Sequence, residues 1–144
     1  MRIEVEIRMP SIVSAIPPRF WDIRYDQNHD PNSPDLKSID ESPNCQNFAY
    51  GILRHFGRSI PDFRSSNLWE DTEHTAVVTD YQPLDLLLFN WTPKSWGAHV
   101  ALCVGEGEAI HLAKKLSAPV VWPIEKFAEQ PEYRVLIGAK RTLR

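Results

Sequence analysis

The 144-residue sequence has few cysteines and no long run of either apolar or basic residues. Its two cysteines, Cys45 and Cys103, are too few for the disulfide framework of a small secreted domain, although one bridge between them is compatible with the sequence. The formal net charge of −3, without a basic cluster, makes nucleic acid a poor candidate for a partner. Because no apolar run approaches the length of a membrane span, we expect no membrane partner either.

Glycine is also scarce, with six residues against twelve prolines, which indicates stiff, extended connections between the regular elements. Hydrophobic residues make up 42% of the chain, enough for one core, and the length is too short for two substantial domains. We therefore expect a single domain over residues 1–144. In it, residues 1–43 form an N-terminal strand and a long loop, and residues 44–140 form the core that carries the chemistry.

Residues 44–57 predict a helix that begins with a cysteine. Asn44 is a favoured N-cap residue, and Pro43 before it cannot continue a helix from upstream. Gly57 is typical of the C-terminal end of a helix. One apolar stripe runs along this helix and predicts a buried face, made of Phe48, Ile52 and Phe56.

Cys45 falls in the first turn of that helix, where unpaired backbone N–H groups and the positive end of the helix dipole favour a thiolate. This position predicts a thiol pKa lowered from about 8.5 to between roughly 3.5 and 7.5, and hence a nucleophile at neutral pH. The alternative is a cysteine that only packs in the core, because free cysteines are often buried. Cys103, in an apolar predicted strand and with no partner for catalysis, is expected to be a buried and unreactive cysteine.

The remaining sequence predicts a sheet with few further helices. Residues 2–8 alternate strictly between apolar and charged side chains and predict a strand, whereas residues 26–43, rich in Asp, Asn, Ser and Pro, predict a long loop. A short helix is expected near residues 67–73, and a helical turn in residues 123–129. Further strands are expected at residues 84–89, 98–104, 108–112, 120–122 and 133–137. One main helix followed by about five strands is typical of an α+β fold with a mainly antiparallel sheet.

Two histidines lie on one predicted hairpin, on either side of the turn at residues 105–107. His99 opens the first strand and His111 lies on the second, near opposing positions, so that both can face the same side of the sheet. A nucleophilic cysteine needs an imidazole as its base, and that imidazole needs a third polar group to fix its tautomer. Cys45, His99 and His111 are our candidates for these three roles.

The other three histidines, His29, His55 and His74, do not lie on a predicted strand that faces the cysteine. We expect them to be ordinary packed or surface histidines. A zinc site is the alternative use of one cysteine and two histidines. The separations along the chain fit no compact zinc-finger pattern, so nucleophilic chemistry is favoured.

Three blocks of the sequence resemble the NlpC/P60 cysteine peptidases, the papain-like bacterial cell-wall hydrolases. Residues 44–61 are similar to the family's Asp-Cys-Ser helix and to the Leu-Pro that follows it. Residues 82–89, in which Asp85 precedes an apolar run, look like the family's Pro-Gly-Asp-Leu strand. Residues 99–111 look like its His-Val-Gly-Ile-Tyr-x-Gly-x-Gly hairpin, which ends in Ile-His. Together the blocks cover about half of the chain.

The resemblance implies a papain-like fold, in which the helix that carries Cys45 packs against the sheet. It also implies Cys45 as the nucleophile, His99 as the general base and His111 as the group that orients His99. The family's reaction is hydrolysis of an amide in the peptide stem of peptidoglycan, so the implied partner is a peptidoglycan peptide or muropeptide. Such an enzyme needs neither a metal nor an organic cofactor, and we expect a monomer.

Several positions depart from the family pattern and leave the substrate less defined than the chemistry. Asn44, Gln46 and Asn47 replace the common Asp-Ser-Gly around the cysteine, and Leu84 replaces the glycine before the aspartate. The family's upstream Gly-x-x-Tyr segment, which helps to build the substrate pocket, is not found. Five tryptophans are candidates for lining the groove instead, or for ordinary packing: Trp21, Trp69, Trp91, Trp96 and Trp122.

Two other functions stay open. A related branch of the superfamily uses the same Cys-His pair for acyl transfer on lipid or amide substrates, through the same acyl-enzyme chemistry. A non-catalytic assembly module of a phage or a secretion system could also keep the fold.

The first twenty residues lack the apolar segment of a secretory signal. We therefore expect action in the cytosol, or delivery outside by a non-Sec route as an effector or a phage enzyme.

Overall fold

The computed structural model describes residues 10–25 and 44–144. The strand predicted at residues 2–8 and the long loop predicted at residues 26–43 lie outside these described residues. The described part contains three α-helices, α1 (Pro18–Trp21), α2 (Cys45–His55) and α3 (Ser65–Glu70), and short 3-10 helices at Val13–Ala15, Ile124–Glu129 and Pro131–Tyr133. It also contains six strands, β1 (Thr75–Val78), β2 (Leu86–Asn90), β3 (His99–Gly105), β4 (Glu108–Ala113), β5 (Ala118–Pro123) and β6 (Val135–Thr142). None of the described helices has the length and apolar character needed to cross a membrane.

Helix α2 has the ends that its sequence predicted. Asn44 is fully buried, and its side-chain oxygen accepts a hydrogen bond from the Asn47 backbone N–H at 2.9 Å, which satisfies one of the unpaired donors of the first turn. At the other end, the backbone N–H groups of Gly57 and Arg58 donate to carbonyls of the last turn. Because Gly57 has φ +79°, this end is a Schellman motif with glycine in the left-handed position.

The sheet has the order β1-β6-β2-β3-β4-β5, and every neighbouring pair is antiparallel. The predicted α+β fold with a mainly antiparallel sheet is therefore confirmed, with six described strands in place of about five. Strand β1 was not predicted, because its apolar run at residues 76–78 is only three residues long and follows no clear period; only Thr75 of its four residues is buried. It forms at the edge of the sheet by pairing with β6, a contact between residues far apart in the chain.

Several predicted elements have different bounds in the structure. The helix expected near residues 67–73 is α3, which begins and ends earlier. The strand expected at residues 133–137 is β6, which starts after Tyr133 because that residue belongs to a 3-10 helix, and which extends further by pairing with β1 and β2. The strand expected at residues 84–89 starts later, because Leu84 has φ +76° and lies in a turn.

The two faces of the sheet are covered by different layers. On the first face, side chains of α2 (Phe48, Ile52) pack against Leu86, Leu88, Val100, Leu102, Ile110 and Leu112. On the second face, Leu87, Phe89, Ala101, Cys103 and Ala109 pack with Phe127 and Tyr133 of the two 3-10 helices near the C-terminus. In the predicted apolar stripe of α2, Phe48 and Ile52 are buried, whereas Phe56 is only partly buried because it is the C-cap residue.

Asp85, just before β2, forms a buried ion pair with Arg141 of β6. The carboxylate is 1% exposed, and its two oxygens accept hydrogen bonds from Nε and Nη2 of the guanidinium, each at 2.8 Å. The Gln82 backbone N–H also donates to this carboxylate at 2.8 Å. The pair thus ties the start of β2 to the neighbouring strand, with the bidentate geometry that arginine and carboxylate favour.

Replacing Arg141 by Gln should lower the free energy of unfolding by about 2–3 kcal/mol, because the buried carboxylate loses its cation. This value is below that of a fully buried pair, because the Arg141 side chain is partly exposed and solvent screens it. Urea unfolding of R141Q, D85N and the double variant measures the effect. The double variant should recover stability relative to R141Q, and an R141Q protein as stable as the wild type would show that the pair contributes nothing.

Candidate active site

Cys45 is the first residue of α2 and is 3% exposed. Burial raises the pKa of its thiol to about 11. Backbone hydrogen bonds from Val100, Gln46 and Cys45 itself, together with the charge of Lys114, act in the opposite direction, but burial outweighs them. The predicted lowering of this pKa is therefore wrong. At pH 7 Cys45 is a neutral thiol, which a base must deprotonate before it can act as a nucleophile.

The rings of His99, which opens β3, and His111, on β4, meet at hydrogen-bond distance. His99 Nε2 and His111 Nδ1 are 2.8 Å apart. The strand register explains the contact: Leu102 pairs with Ile110 on the first face, so that both histidines, at odd offsets from this pair, point to the second face. The predicted proximity of the two histidines is confirmed.

Aromatic rings surround His111 on the second face. His111 is fully buried, and its ring centroid lies 4.4 Å from that of Trp122, 4.6 Å from that of Phe127 and 6.0 Å from that of Tyr133. Its Nε2 has no hydrogen-bond partner among the described residues. Tyr133 also stacks on His99, with ring centroids 4.4 Å apart and 21° between the planes. We refer to Trp122, Phe127 and Tyr133 as the aromatic enclosure.

The enclosure keeps both imidazoles neutral at pH 7. Burial lowers the pKa of His99 to about 3. Burial, with a smaller contribution from the neighbouring His99, lowers the pKa of His111 to about 2. A neutral imidazole has one nitrogen that donates a hydrogen bond and one that accepts. One ring of the pair therefore donates its N–H to the other, and no ion pair is formed between them.

Cys45 and His99 line the same cleft, which has a volume of about 1050 Å³. Its walls come from the loop at residues 91–98 between β2 and β3, from the turn after β4, from the Pro131–Tyr133 helix and from Tyr25. The structure thus brings the two candidates to one opening. The hydrogen bond between the Cys45 thiol and His99 stays a prediction, as do the catalytic roles of both residues.

The tryptophans of the sequence divide among three places. Trp91 and Trp96 line the cleft, one of the two positions expected for the tryptophans from the sequence. Trp122 packs against His111 in the aromatic enclosure. Trp21 and Trp69 pack against the core on the first face, where they are partly buried.

Of the remaining histidines and cysteines, the described ones, His55, His74 and Cys103, are not part of the cleft lining. His55 and His74 pack near phenylalanine rings, and His29 lies outside the described residues. Cys103 is buried on the second face, and burial raises the pKa of its thiol to about 12, as expected for an unreactive cysteine. Both cysteines are free, so the bridge that the sequence allowed is not formed. Within residues 10–25 and 44–144, no cluster of three or more His, Cys, Asp or Glu side chains is arranged to hold a metal ion.

Three residues of the site were not predicted from the sequence. Phe127 and Tyr133 lie in 3-10 helices, whose packing over the second face has no periodic signal in the sequence. Lys114 lines the cleft directly after β4. Lys114 could have been predicted, because residues just beyond the end of the strand that carries His111 lie in a connecting segment, and binding residues are common in such segments.

The fold is similar to that of three solved NlpC/P60 structures. An NlpC/P60 family protein from Bacillus cereus ATCC 10987 is 23% identical, with a TM-score of 0.54 over 72% of this chain and 32% of that one. The NlpC/p60 domain of the peptidoglycan hydrolase SagA is 22% identical, with a TM-score of 0.53 over 82% of this chain and 91% of that domain. NlpC2 from Trichomonas vaginalis is 15% identical, with a TM-score of 0.56 over 85% of this chain and 43% of that one.

These similarities define the fold. The chain has an NlpC/P60-like, papain-like α+β fold, as its sequence predicted. It spans about a third of the length of the Bacillus cereus protein and less than half of the Trichomonas vaginalis protein. No protein-family model matches the chain. No curated protein matches it either.

Acid should destabilise the protein through His111. Its pKa is about 2 in the folded state and about 6.5 in an unfolded chain, so the unfolded state binds the proton first as pH falls. The contribution of His111 to stability is complete above pH 6.5 and is lost progressively as pH falls toward 2. Between pH 7 and pH 4.5 it should reduce the free energy of unfolding by about 2–3 kcal/mol.

Urea unfolding at these two pH values checks this expectation when the wild type is compared with His111→Phe, which keeps an aromatic ring but cannot titrate. The variant should lose less stability than the wild type between pH 7 and pH 4.5. Equal losses in the two proteins would show that folding does not lower the pKa of His111.

Proposed function

We propose that this protein is a cysteine amidase or endopeptidase that hydrolyses an amide bond in the peptide stem of bacterial peptidoglycan. Cys45 acts as the nucleophile, His99 as the general base and His111 as the group that orients His99. The observation that carries the proposal is the 2.8 Å contact between the two imidazoles, beside a cleft that Cys45 also lines. The substrate class is supported by the similarity to the NlpC/p60 domain of the peptidoglycan hydrolase SagA.

The aromatic enclosure favours one tautomer of the histidine pair. His111 Nε2 is buried without a hydrogen-bond partner in the described structure, and Trp122 and Phe127 are its ring's nearest aromatic neighbours. An N–H group is attracted by the negative face of an aromatic ring, whereas a nitrogen lone pair is repelled by it. His111 therefore carries its proton on Nε2 and accepts the His99 Nε2–H at Nδ1. The lone pair of His99 is then left on Nδ1, where it can accept a proton.

Acylation starts with transfer of the Cys45 thiol proton to His99 Nδ1, while Sγ attacks the carbonyl carbon of the amide. The oxyanion of the tetrahedral intermediate is stabilised by the Cys45 backbone N–H at the positive end of α2. His99 then gives its proton to the leaving amine, the C–N bond breaks, and a thioester remains on Cys45. Because the pKa of the Cys45 thiol is about 11 and that of His99 about 3, the first proton transfer is uphill and must be coupled to bond formation at the carbonyl carbon, whereas the His99 imidazolium gives up its proton readily.

Deacylation uses the same groups in reverse order. His99 Nδ1 takes a proton from a water molecule whose oxygen attacks the thioester carbonyl. The second tetrahedral intermediate collapses, the C–S bond breaks, and His99 returns its proton to the Cys45 sulfur. The product leaves with a new carboxyl group. In both steps the hydrogen bond to His111 holds the His99 ring in place, so that one nitrogen serves as base and then as acid.

Cys45→Ala should abolish the cleavage of purified muropeptides and leave the fold intact, because the nucleophile is lost. His99→Ala should reduce kcat/KM by about 10²–10⁴-fold, the usual contribution of a general base. His111→Ala should have a smaller effect, because the reacting pair remains and only its orientation suffers. Mass spectrometry of the released peptides measures all three rates, and circular dichroism checks the fold.

Cys103→Ala is the matched control, because it removes the other thiol from a position outside the cleft. It should lower thermal stability and keep the activity. Cleavage by Cys45→Ala at the wild-type rate would refute the proposed nucleophile. If the wild type cleaves no muropeptide but becomes acylated on Cys45 by lipid or amide donors, the protein is an acyltransferase. If no donor acylates Cys45, a non-catalytic assembly module is the better description.

A further inference from the structure

The hydrogen bond to His111 does not fully fix the ring of His99. It holds Nε2 at 2.8 Å from His111 Nδ1, but a ring held at one atom can still tilt about that atom. The torsion about the Cβ–Cγ bond of a histidine is broad, so rotamer preference does not fix the ring plane either. The lone pair of Nδ1 lies in this plane, and the plane therefore decides where the accepting nitrogen points. A second contact, on the face of the ring, is needed to hold it.

Tyr133 makes this contact on the face of His99. The two ring centroids are 4.4 Å apart with 21° between the planes, and Tyr133 is only 8% exposed. Stacked aromatic rings attract each other by more than the area that they bury. The other members of the aromatic enclosure, Trp122 and Phe127, pack against His111 instead. Tyr133 is therefore the ring of the enclosure that lies on the proposed base.

The two neighbours of Tyr133 in the chain bind to opposite walls of the cleft. Glu132 pairs with Lys115 in the turn after β4, with Oε1 and Nζ 3.1 Å apart. Arg134 Nε donates to the Trp91 carbonyl, in the loop after β2, at 2.8 Å. Each bond is weak by itself, because it lies at the surface. Together they connect the short 3-10 helix that ends at Tyr133 to both walls, and they hold the tyrosine ring between them.

We propose that Tyr133 is a positioning residue, whose ring fixes the plane of the His99 imidazole and so directs the Nδ1 lone pair into the cleft that Cys45 lines. This inference rests on the proposed function, because it assigns a further residue to the same reaction. Reacting groups must be held within about 10–20° of the productive orientation by side chains that are themselves fixed. Tyr133 acts only through His99, and it neither takes nor gives a proton.

Tyr133→Leu removes the stacked ring and keeps an apolar side chain in its place. It should lower kcat for muropeptide cleavage by about tenfold, which is near the upper limit for one aromatic pair. KM should change little, because the substrate still binds while the base is misdirected. Tyr133→Phe keeps the ring and should keep kcat. If Tyr133→Leu does not fold, Tyr133→Met replaces it, because its unbranched apolar chain adapts better to the space.

Phe63→Leu is the matched control, because it also removes an aromatic ring that packs against a histidine. Its ring centroid lies 6.0 Å from that of His74, and neither residue lines the cleft. This variant should lose thermal stability and keep kcat. Wild-type kcat in a folded Tyr133→Leu protein would overturn the inference and leave the proposed hydrolase intact. An equal loss of kcat in Tyr133→Phe would overturn it too, since the hydroxyl and not the stacked ring would then matter.

The motion of the His99 ring separates this inference from the proposed reaction. In a Cys45→Ala background, carbon-13 relaxation gives the order parameter of the His99 ring C–H bonds without any turnover. It should lie in the rigid range, about 0.85, and fall toward about 0.6 when Tyr133→Leu is added. Tyr133→Phe and Phe63→Leu should leave it unchanged.

An equally rigid His99 ring in Tyr133→Leu would overturn the inference even if the wild type is a hydrolase. If the wild type cleaves no muropeptide, the hydrolase is refuted. The relaxation measurement then still decides whether Tyr133 holds the ring of His99.

Discussion

The hydrogen bond between His99 and His111 is the interaction on which the site depends. Burial holds the pKa values of both rings far below neutrality, so that two neutral imidazoles meet and no charge fixes their arrangement. The direction of one hydrogen bond then decides which nitrogen of His99 can accept a proton. Trp122 and Phe127 pack against His111. The packing of the second face therefore influences the direction of the hydrogen bond between the two histidines.

The pKa of the Cys45 thiol is set by two opposing effects, its position at a helix N-terminus and its burial. The N-terminus of α2 offers Cys45 backbone donors and the positive end of a dipole, yet burial dominates and raises the thiol pKa to about 11. The cleft is therefore lined by a neutral thiol and a neutral imidazole, in contrast to a preformed thiolate–imidazolium pair. In the proposed reaction, deprotonation of the thiol must accompany its attack on the substrate.

The sequence predicted what local signals encode. Asn44 and Gly57 mark the ends of α2 because caps are short-range, and the tight hairpin turn brought His99 and His111 together for the same reason. Contacts between distant segments could not be predicted from the sequence. Strand β1 forms through its pairing with β6. The 3-10 helices that carry Phe127 and Tyr133 of the aromatic enclosure follow no periodic pattern. The thiol pKa of Cys45 was predicted in the wrong direction, because a helix dipole can be inferred from sequence and the depth of burial cannot.

Nitrogen-15 NMR of the two side chains in the Cys45→Ala variant measures the protonation state of the histidine pair directly. The chemical shifts of the ring nitrogens distinguish a neutral imidazole from an imidazolium and identify the protonated nitrogen. We expect neutral rings at pH 7 and at pH 5, with the proton on Nε2 of both His99 and His111. An imidazolium at His99 at pH 7, or a His99 proton on Nδ1, would contradict it.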